Sequence, residues 1–360
     1  MKTIRAWWIP AEDNGDEREY EWEYLNREYG IKLFYGRSQK KLQLERVAAG
    51  ECALVVLDSS VDSLEFLDEF PNRSVIAFFV SDETYSATKT CRLLMNSSIR
   101  AVYRDYPIRG LRGLLFYPRL FLSSFCMLRR FDMKLQSWLI AFSSGIAIVG
   151  KQFIMKFMSA LFRKEIKHLP LGYTGSFAKN YSQQFSIRSE ESIITHSISG
   201  IERNALIKKN KETFFAGQRG NFDRQVFLKS ALNSKLSVTR VNETYGGPVE
   251  SNERNKAQKD YFAGLLDSRF SICPSGNYSV ESFRFLESLL LQALPIVPRA
   301  VLSDPLYFSL SENSWIHQDA QWFRNFPEKR RINLLLQELV AFDDRRQRVI
   351  KELMFNEANS

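Results

Sequence analysis

The residues best placed to do chemistry follow one strand-turn-helix pattern in the last third of the chain. FSICPSG reads as a strand running into a Pro274-Ser275-Gly276 turn, and VESFRFLESLLLQA reads as the helix behind it. A junction of this kind aims unpaired backbone N–H groups and the positive helix end at one point, which suits a diphosphate. Gly276 has no Cβ and lets a ligand approach the backbone, while Ser275 and Asn277 add polar side chains to the turn. On the helix itself, Ser282 is followed by Arg284 and Glu287, which stand three residues apart and share a face. A guanidinium there neutralises phosphate charge, and a carboxylate accepts hydrogen bonds from ribose hydroxyls. The same spacing also fits an ordinary ion pair on the surface of an amphipathic helix, and spacing alone leaves both readings open.

The elements that must position these residues alternate between strand and helix. IRAWWI, IKLFYG, ALVVLDSS, SVIAFFVSDE and SIRAVYRDY read as strands separated by helical stretches, one of which ends near Phe70. The alternation restarts near residue 210 with KETFFAGQ, KLSVTRVN, FSICPSG and LPIVPRAV as strands. Strands alternating with helices of about ten residues predict βαβ units and parallel sheets covered on both faces. The expected fold class is therefore α/β, with two Rossmann-like domains meeting near HLPLGYTGSF: residues 1–172, residues 173–340, and a terminal helix over 341–360 that packs back on the first domain.

The bulk composition narrows the classes. The chain has 360 residues, 44% of them hydrophobic, enough for two cores and too apolar for disorder. Four scattered cysteines (Cys52, Cys91, Cys126, Cys273) form no CxxC pair, and with three histidines they point to a reducing compartment and no structural zinc. MKTIRAWWIPAEDNGDE lacks the form of a secretory signal, so a cytoplasmic location is expected. The formal charge of +9 raises the question of nucleic acid, but neither an RNP-type strand nor a zinc-finger spacing is present, and no nucleic-acid partner is expected.

The order Tyr261, Leu265, Ser268, Arg269, Phe270, Cys273, Pro274, Gly276, Ser282, Arg284, Glu287, Pro295, Ile296, Val297 resembles the signature of the exostosin-like glycosyltransferases. FFVSDETY, YRDY, PLGY and FAGQRGNFDR are similar to the ribitol xylosyltransferase branch of that family. The resemblance covers most of the chain outside residues 111–167. It implies a GT-B fold, a nucleotide-diphosphate sugar donor and inversion at the anomeric carbon, with Arg284 and Glu287 as donor contacts and Arg219 or Arg224 helping to hold the diphosphate. Where the family has a glycine ending the helix, this chain has Gln292, so a locally different turn is expected there.

Sugar transfer with inversion needs a base for the acceptor hydroxyl and positive charge for the departing diphosphate. Asp82-Glu83 ends an expected parallel strand, the end that faces the ligand crevice in open α/β sheets, and is the favoured base; Asp82 as the cap of a helix starting near Thr84 is the competing reading. Arg104 and Tyr106 end the next strand and would flank the same crevice on the acceptor side. His168, His196 and His317 are weaker candidates for proton transfer. Gly172 in PLGY is read as a site of backbone freedom, and Tyr245-Gly246-Gly247 as a loop or plain turn. The sequence has no Asp-x-Asp motif, so neither metal nor other cofactor is expected.

Residues 111–167 hold ten basic and two acidic residues, a net +8 within the chain's +9. Their run LQSWLIAFSSGIAIVG falls short of the roughly 20 residues that span a bilayer. Two readings stand side by side. In one, a basic, apolar helical hairpin lies on an anionic membrane near a saccharide or lipid-linked acceptor; in the other, the apolar residues complete the first domain's core. A non-catalytic, glycosyltransferase-like partner subunit and a basic membrane-surface protein are the alternatives to an enzyme of surface polysaccharide or glycolipid synthesis.

Overall fold

The computed structural model describes residues 4–9, 19–34, 37–58, 61, 63–80, 87–105, 135–170, 172–215, 251–274, 283–297 and 320–358. The protein is α/β. Strands β1 (Ile4–Ile9), β2 (Ile31–Phe34), β3 (Ala53–Asp58), β4 (Val75–Val80), β5 (Ile99–Arg104) and β6 (Glu165–His168) form a parallel sheet in the order β2-β1-β3-β4-β5-β6. Helices α1 (Glu19–Tyr29), α2 (Arg37–Ala48), α3 (Ala87–Met95) and α4 (Leu135–Leu161) lie between these strands. All six residues of β4 are buried. Side chains alternate between the faces of a strand, so burial at every position means both faces are covered, as parallel sheets require. One face packs Val75, Ala77 and Phe79 with Val55, Leu57, Leu93, Leu94 and Ile99. On the other, Phe78 stacks on Tyr103 with ring centroids 5.2 Å apart.

Two features differ from the sequence-based expectation. The helix expected to end near Phe70 is a short 3-10 turn, Glu65–Glu69, with Leu67 as its buried residue. Pro71 forces Phe70 into extended backbone (φ −95°, ψ 142°), which stops the turn from propagating. Residues 165–167, read as the end of a basic insertion, form with His168 the edge strand β6 paired with β5. Two parallel neighbours need a crossover helix, and α4 is that helix. Its inner residues Ile148, Gln152 and Met155 are buried, and Met158 packs against the sheet's core. The described part of the insertion is thus one continuous 27-residue helix leading into β6, while residues 111–134, where the other half of the expected hairpin would fall, lie outside the described residues.

A second parallel sheet runs β7 (Lys211–Phe214), β8 (Ser268–Ile272), β9 (Leu294–Ile296), with β8 in the middle. Helices α5 (Gly175–Phe185), α6 (Ile193–Glu202), α7 (Ser251–Asp267), α8 (Phe283–Leu290), α9 (Ala320–Asn325) and α10 (Glu328–Ala358) complete the described elements. The expected strand KLSVTRVN lies outside the described residues.

The chain divides into two compact units, Met1–Gly113 with Ala147–Gly175 and Asp344–Ser360, and Leu114–Ile146 with Ser176–Asp343. The first unit takes the end of α10. There Arg346 pairs with Glu28, Tyr173 Oη donates to the same carboxylate at 2.8 Å, and Glu352 accepts from Tyr103 (3.0 Å) and Lys167 (2.8 Å). Gly172 serves close packing: a Cβ there would sit 2.3 Å from the Tyr24 ring, and its φ is not among the positive ones, so missing bulk rather than backbone freedom explains the glycine.

In the second unit, Lys209 Nζ donates to the carbonyls of Leu265, Leu266 and Leu291, filling acceptors left open where α7 and α8 end. Burial, aided by nearby Arg331, pulls its amine down to about 7. Gln292 adopts the left-handed conformation (φ 58°) that a glycine would take at a helix end, with Ala293 N–H bonded back to Ser288 O at 2.8 Å. The turn is therefore the glycine-type turn, not a different one. The strain on a side chain at positive φ is offset by the Gln292 amide, which accepts from Ile207 N–H (2.9 Å) and donates to Ala205 O (3.3 Å).

Candidate functional site

The site is built at the carboxyl ends of β7 and β8. After β7 comes Phe215, 1% exposed; after β8 come Cys273 and Pro274, both buried. Helix α8 begins at Phe283 and presents Arg284 and Glu287 one turn apart. The Arg284 guanidinium lies over the Phe215 ring with its carbon 5.8 Å from the centroid. That contact pins a long cation beside the end of β7. Glu287 is 2% exposed, so it is no partner in a solvated surface pair. The surface reading of this Arg-Glu spacing fails because residues 285–290 of α8 are all buried.

Tyr261 of α7 holds the Glu287 carboxylate, its Oη donating to Oε2 at 2.8 Å. Burial, and then the adjacent Glu287 charge, raise the Tyr261 hydroxyl far above its ordinary value, so it remains a proton donor at any working pH. Close packing sets the position of α7 against β7: a Cβ on Gly264 would meet the Phe214 ring at 2.1 Å. Below the site, Cys273 Sγ contacts Ser271 Oγ (3.7 Å), the Arg284 carbonyl (3.6 Å) and Ser288 Oγ (3.5 Å). Burial raises the Cys273 thiol, so this sulfur packs as a neutral group joining β8 to α8.

No protein-family model matches the chain, and no curated protein matches its sequence.

The other candidates fall in several places. Ser275, Gly276, Asn277 and Ser282, between β8 and α8, lie outside the described residues, as do Arg219 and Arg224 after β7. Asp82, Glu83 and Tyr106 are outside them too; β4 ends at Val80, two positions before Asp82. Arg104 does end β5, but its side chain is fully buried, donating to Thr90 Oγ1 and lying over Phe79, its guanidinium carbon 5.4 Å from the ring centroid. It ties β5 to α3 and α4 inside the core and presents no surface to an open crevice. His196 sits among aromatic rings, its Nδ1 3.1 Å from Tyr181 Oη, and burial lowers its basicity. Among the described residues no group of three or more His, Cys, Asp or Glu side chains could hold a metal.

Sequence reasoning passed over Tyr261 and Phe215 as site residues, although both stand in the stretches quoted above. Tyr261 precedes Glu287 by 26 positions. No local spacing rule links residues that far apart; only the β8 crossover brings them together.

What this arrangement can do is bounded by its groups. It offers a cation held over an aromatic ring and a buried carboxylate with a held orientation, one helical turn apart. Together they match a ligand bearing both anionic oxygens and hydroxyl donors.

Proposed function

We propose that the protein is an inverting glycosyltransferase of the GT-B type, moving a sugar from a nucleotide-diphosphate donor to a hydroxyl of a saccharide or lipid-linked saccharide. The observation that carries the reading is Glu287: a carboxylate buried at the carboxyl end of a parallel strand, held by Tyr261, one helical turn from a ring-pinned Arg284. Burying such a charge costs several kcal/mol unless its hydrogen bonds are satisfied, and donor hydroxyls would satisfy it further. Two α/β units with parallel sheets, and the resemblance in the sequence, favour the same reading.

In this reaction the acceptor oxygen attacks the anomeric carbon while the bond from that carbon to the diphosphate oxygen breaks. The leaving diphosphate keeps the electron pair, and the acceptor proton passes to Asp82 or Glu83. A single displacement inverts the carbon. Arg284, with Arg219 or Arg224, would neutralise the leaving charge, so the reading requires no divalent metal.

The test is a thermal-shift screen of nucleoside diphosphates and their sugar conjugates without added metal. Stabilisation by one of them is expected, of about 2.7 kcal/mol at a hundredfold excess over Kd. Absence of any response in the wild-type protein would contradict donor binding and favour a non-catalytic partner subunit.

A further inference from the structure

Helix α4 has a second apolar face. Among the described residues nine large hydrophobic side chains stand exposed, and six of them are on this helix: Leu139, Ile146, Phe153, Ile154, Phe157 and Leu161, each at least 50% exposed. At about 100° per residue all six fall within about 60° of one line along the helix, opposite the inward-facing Ile148, Gln152 and Met155. Core completion therefore uses one side of α4 and leaves an aromatic and aliphatic stripe on the other, densest over Phe153, Ile154, Phe157 and Leu161. A stripe of this kind is not the random scatter of single surface apolar residues.

Charge identifies the occupant. No acidic residue occurs anywhere in α4, while Lys151 and Lys156 flank the stripe on its two sides and Arg163, exposed, follows its end. Lysines in that position lay their methylene stems along an apolar surface and place their ammonium groups at headgroup level. A second copy of the chain brought face to face would set the same cationic rims against each other, which disfavours self-association. No helix among the described residues is long and apolar enough to cross a membrane, so a stripe with basic flanks fits a helix lying in the plane of the interface.

We propose that the outward face of α4, centred on Phe153, Ile154, Phe157 and Leu161, docks the protein on an anionic lipid surface. The stripe enters the boundary between headgroups and acyl chains, and Lys151, Lys156 and Arg163 meet the lipid phosphates. This surface is independent of the nucleotide reading, since it uses none of the same residues.

The experiment is co-sedimentation with phosphatidylcholine vesicles, with and without a minority of phosphatidylglycerol, for the wild type and the triple variant Phe153→Ser, Phe157→Ser, Leu161→Ser. All three side chains are solvent-exposed, so the variant should keep the wild-type melting temperature. The expected result is salt-sensitive binding of the wild type to the anionic vesicles and at least about tenfold weaker binding of the variant. Arg284→Ala is expected to sediment like the wild type, so the lipid and nucleotide proposals fail separately. Failure of the wild type to sediment, or equal partitioning of the triple variant, would overturn the proposal. So would sedimentation velocity showing a wild-type dimer that the triple variant dissociates, because a second copy would then cover the stripe.

Discussion

Glu28 and Glu287 are both carboxylates at 2% exposure or less, one in each unit, and their surroundings differ. Glu28, on α1, receives Arg346 from α10 and the Tyr173 hydroxyl from the segment after β6, so it joins three stretches far apart in sequence. Glu287 receives a phenol from α7 and shares its helix with Arg284, beside the ends of two strands. Equal burial thus accompanies two kinds of work. A carboxylate that ties distant segments is part of the scaffold, whereas one placed with a cation at strand ends is where a ligand would be received.

The largest expected effect separates the two. Glu28→Ala breaks a buried ion pair and is expected to cost about 3–5 kcal/mol, read by chemical denaturation, with no specific effect on nucleotide binding beyond the lost folded fraction. Glu287→Gln keeps shape and an acceptor for Tyr261. It is expected to leave stability within about 1 kcal/mol while weakening the responding nucleotide by about 1.5–3 kcal/mol, the range for a hydrogen bond to a charged group. The tyrosine partners sharpen the contrast further. Tyr173→Phe and Tyr261→Phe should each cost about 1 kcal/mol of stability, but only the Tyr261 variant should also weaken nucleotide binding, measured by thermal shift with and without ligand.

How much of this is legible in the sequence depends on the range of each signal. The alternation of apolar strands and helices is written locally, and β1, β2, β3, β4, β5, β7, β8 and β9 fall where the pattern puts them. β6 does not announce itself: EIKH is four residues, three of them charged or polar, because an edge strand needs no apolar outer side. α4 defeats binary patterning for the opposite reason, being apolar on the face that packs on the sheet and on the face that does not. The Arg284–Glu287 pair is legible as a spacing, but whether it is surface or interior depends on the packing of all of α8. Tyr261 and Phe215 become site residues only through tertiary contact. At Gln292 the residue type suggests the wrong turn, because a long-range pair of amide hydrogen bonds, to Ala205 and Ile207, outweighs local preference.

The smallest effect lies in the first unit, at the end of α10. Burial alone would raise the Glu352 carboxyl, but hydrogen bonds from Lys167 and Tyr103 carry it below its ordinary value. A lowered folded-state pKa stabilises above the unfolded value and is lost as the pH falls through the folded one. Since the group is largely exposed, the contribution is at most about 0.5 kcal/mol after solvent screening. Glu352→Gln should therefore flatten the acid limb of a stability-pH curve, below the ordinary glutamate value, by no more than that.

The most direct test of the site is calorimetric titration of the responding nucleoside diphosphate into the wild type and Glu287→Gln, without metal and with the folded fraction of each checked by its melting temperature. The expected result is binding by the wild type and about a 10- to 100-fold higher Kd for the variant. Equal affinity in the two folded proteins would contradict a donor site at Glu287.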